Sequence, residues 1–473
     1  MIKKALIIAA GFGSRLKRDE DDIPKPLRRV AGLPLIERII LSAKKGGISE
    51  FHIVVGHQKE RIINFLKNKN LGVKIDFIEN PDWQKSNGLS VLAAAPIIKE
   101  NFILLMSDHI FDPETLAKLR QTDIHQNKAL LAVDYKTAAI FDMDDATKVL
   151  VDQGQIKSIG KEIANYNAID TGMFLLTPDI FTALRASLKD GDCSLSDGIR
   201  HYCEQNVMGT FDIGAAYWQD VDTPEALKEA ERILFQKCRK NTDGFISRNF
   251  NRYVSLFITK YLAKTNLSAN QVTALTSMVG IASGYLTIQG DYWHVLWGSV
   301  LFKLSSILDG CDGELSKLKL TSSKLGQWLD TISDNSTYLI YFVAIVVGSI
   351  NREIPHARTL GSLALFGLGM TLLVMFAYLI RNTNSGSLLA IQEDFKNEAN
   401  QSKVKKILSS LQFMAKRDFF ALAFLVFALF NGLAVSLWAM VIGTNIIWLV
   451  LLNSKLGLFK SKTPINSVVP STK

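Results

Sequence analysis

The chain has 473 residues and a mass of 52.6 kDa, too much for one ordinary core, so two or three domains are expected. Hydrophobic residues make up 48% and charged residues 21%, which excludes a disordered or purely fibrous chain; a mean hydropathy of +0.15 suggests a polar part joined to an apolar one. The 54 Lys and Arg exceed the 45 Asp and Glu by 9, an excess open to nucleic acid, anionic lipid or phosphorylated substrates.

In chain order, Met1-Ile2-Lys3-Lys4 leads into Ala5-Leu6-Ile7-Ile8-Ala9-Ala10. That run is too short for a membrane span and ends in a glycine turn, so it predicts the first buried strand of a parallel sheet rather than a signal peptide. Helices are expected over 34–46, 59–69 and 89–96, and strands over 51–55, 73–78 and 102–106. The alternation predicts a doubly wound α/β domain over 1–236. Four cysteines, Cys193, Cys203, Cys238 and Cys311, show no CxxC pairing and read as reduced thiols, which excludes a disulfide scaffold.

After Thr242-Asp243-Gly244 the texture changes. Over 243–265, Arg248, Arg252 and Lys260 interleave with Phe250, Tyr253, Leu256, Phe257 and Leu262, a pattern that suits a helix lying in a membrane interface and equally an ordinary surface helix. Residues 266–473 then hold six apolar stretches, at 272–289, 292–308, 327–349, 359–380, 419–432 and 435–452. They predict an all-α polytopic membrane domain with about six transmembrane helices. Lys317, Lys319 and Lys324 cluster in one connection, Arg381, Lys396, Lys403, Lys405, Lys406, Lys416 and Arg417 in another, and Lys455, Lys460 and Lys462 in the tail; the opposite connections hold only Arg352 and Arg358. This bias predicts a multi-pass protein of the cell (inner) membrane, with the α/β domain and the C-terminus in the cytoplasm. Because the basic residues track topology, nucleic acid is not an expected partner.

The first chemistry-bearing motif follows the first strand: Ala9-Ala10-Gly11-Phe12-Gly13-Ser14-Arg15-Leu16, then Pro24-Lys25-Pro26-Leu27. Two glycines let backbone N–H groups curl toward phosphates. Asp108, in Ser107-Asp108-His109, ends an apolar strand at the sheet's carboxyl edge, where a carboxylate can hold Mg²⁺. Together the loop and the Pro-Lys-Pro segment resemble the signature of sugar-phosphate nucleotidyltransferases, and the run of about 230 residues most resembles inositol-1-phosphate cytidylyltransferases. The resemblance implies Ala10, Gly11, Gly13, Ser14 and Lys25 at the nucleotide, with Arg15 and Lys25 acting on its phosphates. It implies Asp222, in Gln219-Asp220-Val221-Asp222, as second metal ligand beside Asp108, although a helix N-cap before Pro224 would explain Asp222 as well. It also implies a base-reading loop at Asn80 and Asn87-Gly88-Leu89-Ser90. The acceptor pocket would hold Lys136, Lys161 and Asp170-Thr171-Gly172. CTP would be the nucleotide, and the reaction an in-line attack of a phosphomonoester oxygen on the α-phosphorus with loss of pyrophosphate.

The second motif is Asp309-Gly310-Cys311-Asp312-Gly313-Glu314-Leu315-Ser316-Lys317, followed by Gly326, Asp330 and Asp334. Asp309 and Asp312 are one helical turn apart, as are Asp330 and Asp334. Carboxylates at membrane depth each cost about 2.5–3.5 kcal/mol on insertion scales, so four together need cations between them. Oxygen-only ligands suit Mg²⁺ or Mn²⁺ in a two-metal phosphoryl-transfer site. The residues resemble the DxxDGxxAR…GxxxDxxxD signature of CDP-alcohol phosphotransferases, departing from it at Ser316-Lys317, where lysine keeps the charge of arginine without its bidentate fork. Ser268-Ala269-Asn270-Gln271-Val272-Thr273 resembles the same family's PNxxT segment. The resemblance implies Asn270, Thr273, Gly313 and Lys317 at the nucleotide, Asp309, Asp312, Asp330 and Asp334 at the metals, and Asp334 as base. Arg381, Lys416 and Arg417 are candidates for the acceptor's phosphate, or simply topology signals. A homodimer through the spans is a family expectation.

The fusion resembles bifunctional inositol-1-phosphate cytidylyltransferase/di-myo-inositol-phosphate-phosphate synthases. That implies CDP-inositol formation and then transfer to a second inositol 1-phosphate with release of CMP. Abundant Asn and Gln, among them Asn249, Asn251, Asn382, Asn384, Asn397 and Asn400, suggest a mesophilic owner. That leaves open another phosphoalcohol, or a lipid acceptor and a phospholipid product. A membrane-anchored nucleotide-binding protein with an inactive transferase site is the reading from another class.

Overall fold

The computed structural model describes residues 1–16, 23–124, 127–239, 246–382 and 417–454. Its backbone divides into two compact units, one of Met1–Lys237 with Leu318–Leu320, the other of the remaining residues from Cys238.

The first unit is an α/β domain. Its strands are β1 (Lys4–Ala9), β2 (Arg29–Val30), β3 (Leu33–Pro34), β4 (Glu50–Val55), β5 (Lys74–Glu79), β6 (Phe102–Met106), β7 (His109–Phe111), β8 (Ala129–Asp134), β9 (Lys148–Asp152), β10 (Gln155–Gly160), β11 (Ala168–Leu176), β12 (Met208–Asp212) and β13 (Trp218–Asp220). Its helices are α1 (Leu35–Lys45), α2 (Lys59–Lys67), α3 (Asn87–Leu92), α4 (Pro113–Leu119), α5 (Ile180–Ala186), α6 (Leu195–Glu204) and α7 (Pro224–Cys238). The nine-stranded sheet runs β5-β4-β1-β6-β11-β8-β12-β10-β9. β1 pairs in parallel with β4 and β6, as expected of a buried first strand, but β11 runs antiparallel to β6 and β8, so the sheet is mixed. Alternate residues of β1 serve opposite faces: Leu6 and Ile8 join one apolar core with Ile180, Leu184 and Ile199, while Ala5, Ile7 and Ala9 join another with Ile36, Ile39 and Ile40. Both faces are therefore covered by helices, and the carboxyl ends of β1 and β6 open onto the loops that carry Arg15 and Asp108.

The second unit is helical. A π-helical turn (Ser247–Asn251) leads into α8 (Arg252–Leu262), followed by α9 (Ala269–Thr287), α10 (Tyr292–Leu318), α11 (Lys324–Asn351), α12 (Ala357–Asn382), α13 (Arg417–Leu429) and α14 (Leu433–Ser454). Of the expected basic connection, Lys396, Lys403, Lys405, Lys406 and Lys416 lie outside the described residues, as does the basic tail. Aromatic stacking centres the core: Phe302 lies on Tyr341 with ring centroids 3.8 Å apart, and Phe342 and Phe424 meet edge to face.

Polarity in this unit is inverted relative to a water-soluble bundle. Met278, Tyr285, Trp293, Phe366 and Leu373 face outward, whereas Ser283, Thr287, Ser299, Ser305 and Ser349 are buried. Several buried hydroxyls bond within their own helices: Thr287 donates to the Ser283 carbonyl, Ser299 to Val295 and Thr337 to Ser333, at 2.8, 2.8 and 2.6 Å, while Ser305 of α10 reaches across to the Thr276 carbonyl of α9 at 3.4 Å. α8 shows the same inversion. Phe250 in the preceding turn and Tyr253, Phe257 and Tyr261 of α8 are exposed, while Arg252 is buried with Ser255 and Thr259. Among the described residues, Ala357–Val374 is the stretch long and apolar enough, by length and composition, to cross a membrane; Asp418–Leu429 and Leu433–Leu449 are apolar but shorter. α10 and α11 miss that test because Lys303, Asp309, Asp312, Glu314, Asp330 and Asp334 interrupt them.

Two candidate active sites

In the α/β unit, the chain leaves β1 through Gly11 and Gly13 into the short turn Ser14–Leu16, and re-forms a turn at Lys25–Leu27 between Pro24 and the buried Pro26. Gly13 has φ +64°, and a Cβ there would lie 2.6 Å from the Lys25 Cβ. Only glycine allows both the left-handed backbone and the approach of Lys25. The Lys25 ammonium lies 2.6 Å from Asp108 Oδ2 and also pairs with Asp222 Oδ1. Arg15 reaches Asp222 and Asp145, each at 2.5 Å, and Lys161 meets Asp145 at 2.5 Å. Thr223, not Asp222, takes the capping position of α7, accepting from the Ala226 N–H at 3.1 Å. Asp222 is thus left to the cations.

β7 pairs with β13 in the register that sets His109 opposite Asp220. The His109 ring contacts Asp108 at 2.7 Å. Burial disfavours its imidazolium, yet Asp220 and Asp108 outweigh that and raise its pKa to about 9. Burial likewise pushes the Asp108 carboxyl up, but Lys25 and His109 prevail and hold it well below the usual carboxylate range. Burial pushes Asp170 up to about 6, although the Gly172 N–H donates to it at 2.7 Å. Oxygen and imidazole atoms of Asp108, His109 and Asp220, and carboxylate oxygens of Asp145, Asp220 and Asp222, each fall within 4.8 Å of one another. Such sets fit a hard divalent cation, and three of these carboxylates, Asp108, Asp145 and Asp222, carry the ion pairs to Arg15 and Lys25.

These groups open on a cleft whose wall includes Asn87, Asp145, Lys161, Asp170, Gly172 and Asp222. Other expected residues are engaged elsewhere. Thr171 is fully buried and donates to the Ala132 carbonyl at 2.7 Å. Lys136 donates to the carbonyls of Gly214 and Ala216. Ser90 is buried and accepts from Asn80, and the space beside Gly88 is filled by the Cys193 and Ser194 backbone. Ala10 is buried at the end of β1, whereas a Cβ at Gly11 would meet nothing within 4 Å. Sequence reasoning missed Asp145 and did not assign His109 and Asp220; period-two alternation places Asp220 on the same side as Asp222, the one signal that could have found it.

In the helical unit, α10 carries Asp309 and Asp312, and α11 carries Asp330 and Asp334. Carboxylate oxygens of Asp309, Asp330 and Asp334 lie within 4.8 Å of one another. Asp312 is buried and accepts from Thr273 Oγ1 at 2.5 Å. Thr273 is placed by a capping box in which Ser268 and Gln271 satisfy the start of α9, with Asn270 in that first turn. Ser323 caps α11, and a Cβ at Gly326 would lie 3.1 Å from its hydroxyl and 3.6 Å from Asn270 Oδ1. An all-carboxylate donor set at this spacing fits hard divalent ions. Gly313 donates its N–H to Asp312, and Ser316 bonds back to the Gly313 carbonyl. Lys317 is exposed and donates to the Cys238 carbonyl at 3.4 Å. Arg381 sits near the end of α12 and Arg417 opens α13.

A family model described as MobA-like NTP transferase domain matches residues 5–192, and one described as CDP-alcohol phosphatidyltransferase matches residues 266–451. A protein of Aquifex aeolicus named "Bifunctional IPC transferase and DIPP synthase" is 34% identical over 350 residues, covering 73% of this chain and 78% of that one. This chain belongs to the bifunctional IPC transferase and DIPP synthase family. A member from Archaeoglobus fulgidus, 28% identical, aligns over 99% of this chain and 85% of its own. A solved structure titled as the inositol-1-phosphate CTP transferase from T. maritima is 28% identical, with a TM-score of 0.44, over 49% of this chain and 96% of that one. As a member of the family, the chain is an enzyme with a nucleotidyltransferase domain and a CDP-alcohol phosphotransferase domain, acting on small-molecule substrates. Both kinds of domain generally work with divalent metal, and the second is of a membrane-associated kind.

Proposed function

We propose that the α/β domain makes CDP-inositol from CTP and inositol 1-phosphate. The helical domain then transfers phosphoinositol to a second inositol 1-phosphate, giving di-myo-inositol phosphate phosphate and CMP. The observation that carries this reading is the presence, in one chain, of two separate acidic centres. One is threaded by Lys25 and Arg15; the other gathers the carboxylates of Asp309, Asp330 and Asp334. The names of the relatives supply the alcohol.

In the first step Arg15 and Lys25 turn from their carboxylates to the triphosphate, with the backbone of Gly11 to Ser14 around it. Asp108 and Asp222 would hold Mg²⁺, with Asp220 and Asp145 beside them; bound there, the ion neutralises charge on the α-phosphate and the leaving pyrophosphate. Lys161 and Gly172, on the cleft wall, orient the sugar phosphate whose oxygen attacks the α-phosphorus. The P–O bond to pyrophosphate breaks as the new one forms.

In the second step Asp309, Asp312, Asp330 and Asp334 would hold Mg²⁺ or Mn²⁺, which polarises the diphosphate. Asp334 takes the proton of the attacking hydroxyl, the bond to the inositol-bearing phosphorus forms, and CMP leaves. Asn270, Thr273, Gly313 and Lys317 border the nucleotide, and Arg381, Lys416 and Arg417 receive the acceptor's phosphate. The helices α9 to α14 span the cell membrane about six times as a homodimer, with the α/β domain and C-terminus cytoplasmic and α8 in the interface. The outward aromatic and aliphatic side chains support that embedding.

Mass spectrometry of the purified protein in detergent, given CTP, Mg²⁺ and inositol 1-phosphate, tests the assignment. CDP-inositol followed by an inositol phosphodiester and CMP is expected. CDP-inositol alone, with product in the organic phase once diacylglycerol is added, would replace the second acceptor by a lipid. Absence of CDP-inositol would overturn the choice of alcohol.

A further inference from the structure

Glu314 is 1% exposed, two residues beyond Asp312, and no step above uses it. Its carboxylate is fully engaged by α8. Oε1 accepts from Arg252 Nη1 and from Ser255 Oγ, both at 2.6 Å, and Oε2 accepts from Thr259 Oγ1 at 2.7 Å. The three partners follow at intervals of three and four residues, one stripe of α8, and all are buried. The approach of the two helices is close. A Cβ at Gly310 would lie 3.2 Å from Arg252 Nη1 and from Ser255 Oγ, and the Cys311 thiol reaches the Ser255 carbonyl at 3.6 Å.

At 3.6 residues per turn, Glu314 projects about 170° around α10 from the mean direction of Asp309 and Asp312. The helix is thus held on opposite sides: Thr273 grips Asp312 on the metal face, and Arg252, Ser255 and Thr259 grip Glu314 on the back. Two grips half a turn apart fix the roll of a helix, which one grip cannot. A buried ion pair seldom adds net stability over an apolar pair of the same shape, but it admits far fewer geometries.

We propose that Glu314 is a positioning residue for the membrane-domain metal site, and that the Glu314 clamp onto α8 sets the roll of α10 so that Asp309 and Asp312 meet Asp330 and Asp334. This rests on reading those aspartates as metal ligands. The test is Mn²⁺ binding, followed by electron paramagnetic resonance, to the full-length protein carrying Asp108→Asn and Asp222→Asn, so that the ions counted belong to the helical domain. Adding Glu314→Gln is expected to raise the Mn²⁺ dissociation constant ~10–100-fold at an unchanged number of sites. Thr259→Val, which removes one hydrogen bond and no charge, should move the constant the same way by a smaller factor; it decides alone where Glu314→Gln fails to fold. A merely structural role would lower the number of sites and leave the constant unmoved, and that result overturns the proposal, as does parental affinity in both folded variants. Absence of any saturable binding in the Asp108→Asn/Asp222→Asn protein overturns the metal reading together with it, which separates the two failures.

Discussion

Lys25 lies with 10% of its side chain exposed between the carboxylates of Asp108 and Asp222, so one ammonium balances two acids. Replacing it by methionine keeps the stem and removes that charge. Lys25→Met is expected to lower pyrophosphate release from CTP by ~10²–10³-fold, while CMP release from supplied CDP-inositol stays at the parental rate. Parallel assays of the two products check this, and an equal fall in both would point to a global defect instead. Lys25 was legible in the sequence because Pro24 and Pro26 fix its backbone and the preceding glycines announce the loop. Asp145 was not. It lies in an irregular segment between β8 and β9 with no motif around it, and only the fold brings it against Arg15 and Lys161. Thr171 shows the reverse error: it sits in the right motif, but strand alternation turns its hydroxyl to the core.

Helices meet in the second unit through small residues. A Cβ at Gly284 of α9 would lie 2.6 Å from Ile340 Cγ2 of α11, and one at Gly280 would come closer still to the Thr337 methyl. Gly284→Leu is expected to cost about 1–3 kcal/mol by overpacking. The melting temperature of the detergent-solubilised protein should fall, and CMP release should fall more than pyrophosphate release. An unchanged melting temperature would count against this α9–α11 contact. All six apolar stretches appear as helices, five of them within a few residues of their expected bounds and α10 running ten residues further, to Leu318. The orientation of α8 was not legible. Its aromatic and basic residues interleave in either environment, and only the buried Glu314 explains why Arg252 points inward.

The chain as a whole divides its chemistry between two units, each with its own acidic centre. Asp312→Asn is therefore expected to abolish phosphodiester and CMP formation while CDP-inositol accumulates at the parental initial rate. Chromatography of the nucleotide products against time reads this directly, and loss of CDP-inositol as well would sink the division into two sites. This division was legible in composition, since no single core suits both a charged α/β half and an apolar helical half. The mixed direction of the sheet was not, because antiparallel β11 is as apolar and as buried as its parallel neighbours.

The hydroxyls of Thr287, Ser299 and Thr337 each bond to a carbonyl four residues earlier on their own helix. A helix so furnished keeps these hydroxyl donors satisfied before any neighbour arrives. Biogenesis can then run in two separable stages. Each helix can form as a finished unit, and the glycine-lined seams close afterwards, with the carboxylates of α10 and α11 brought together last.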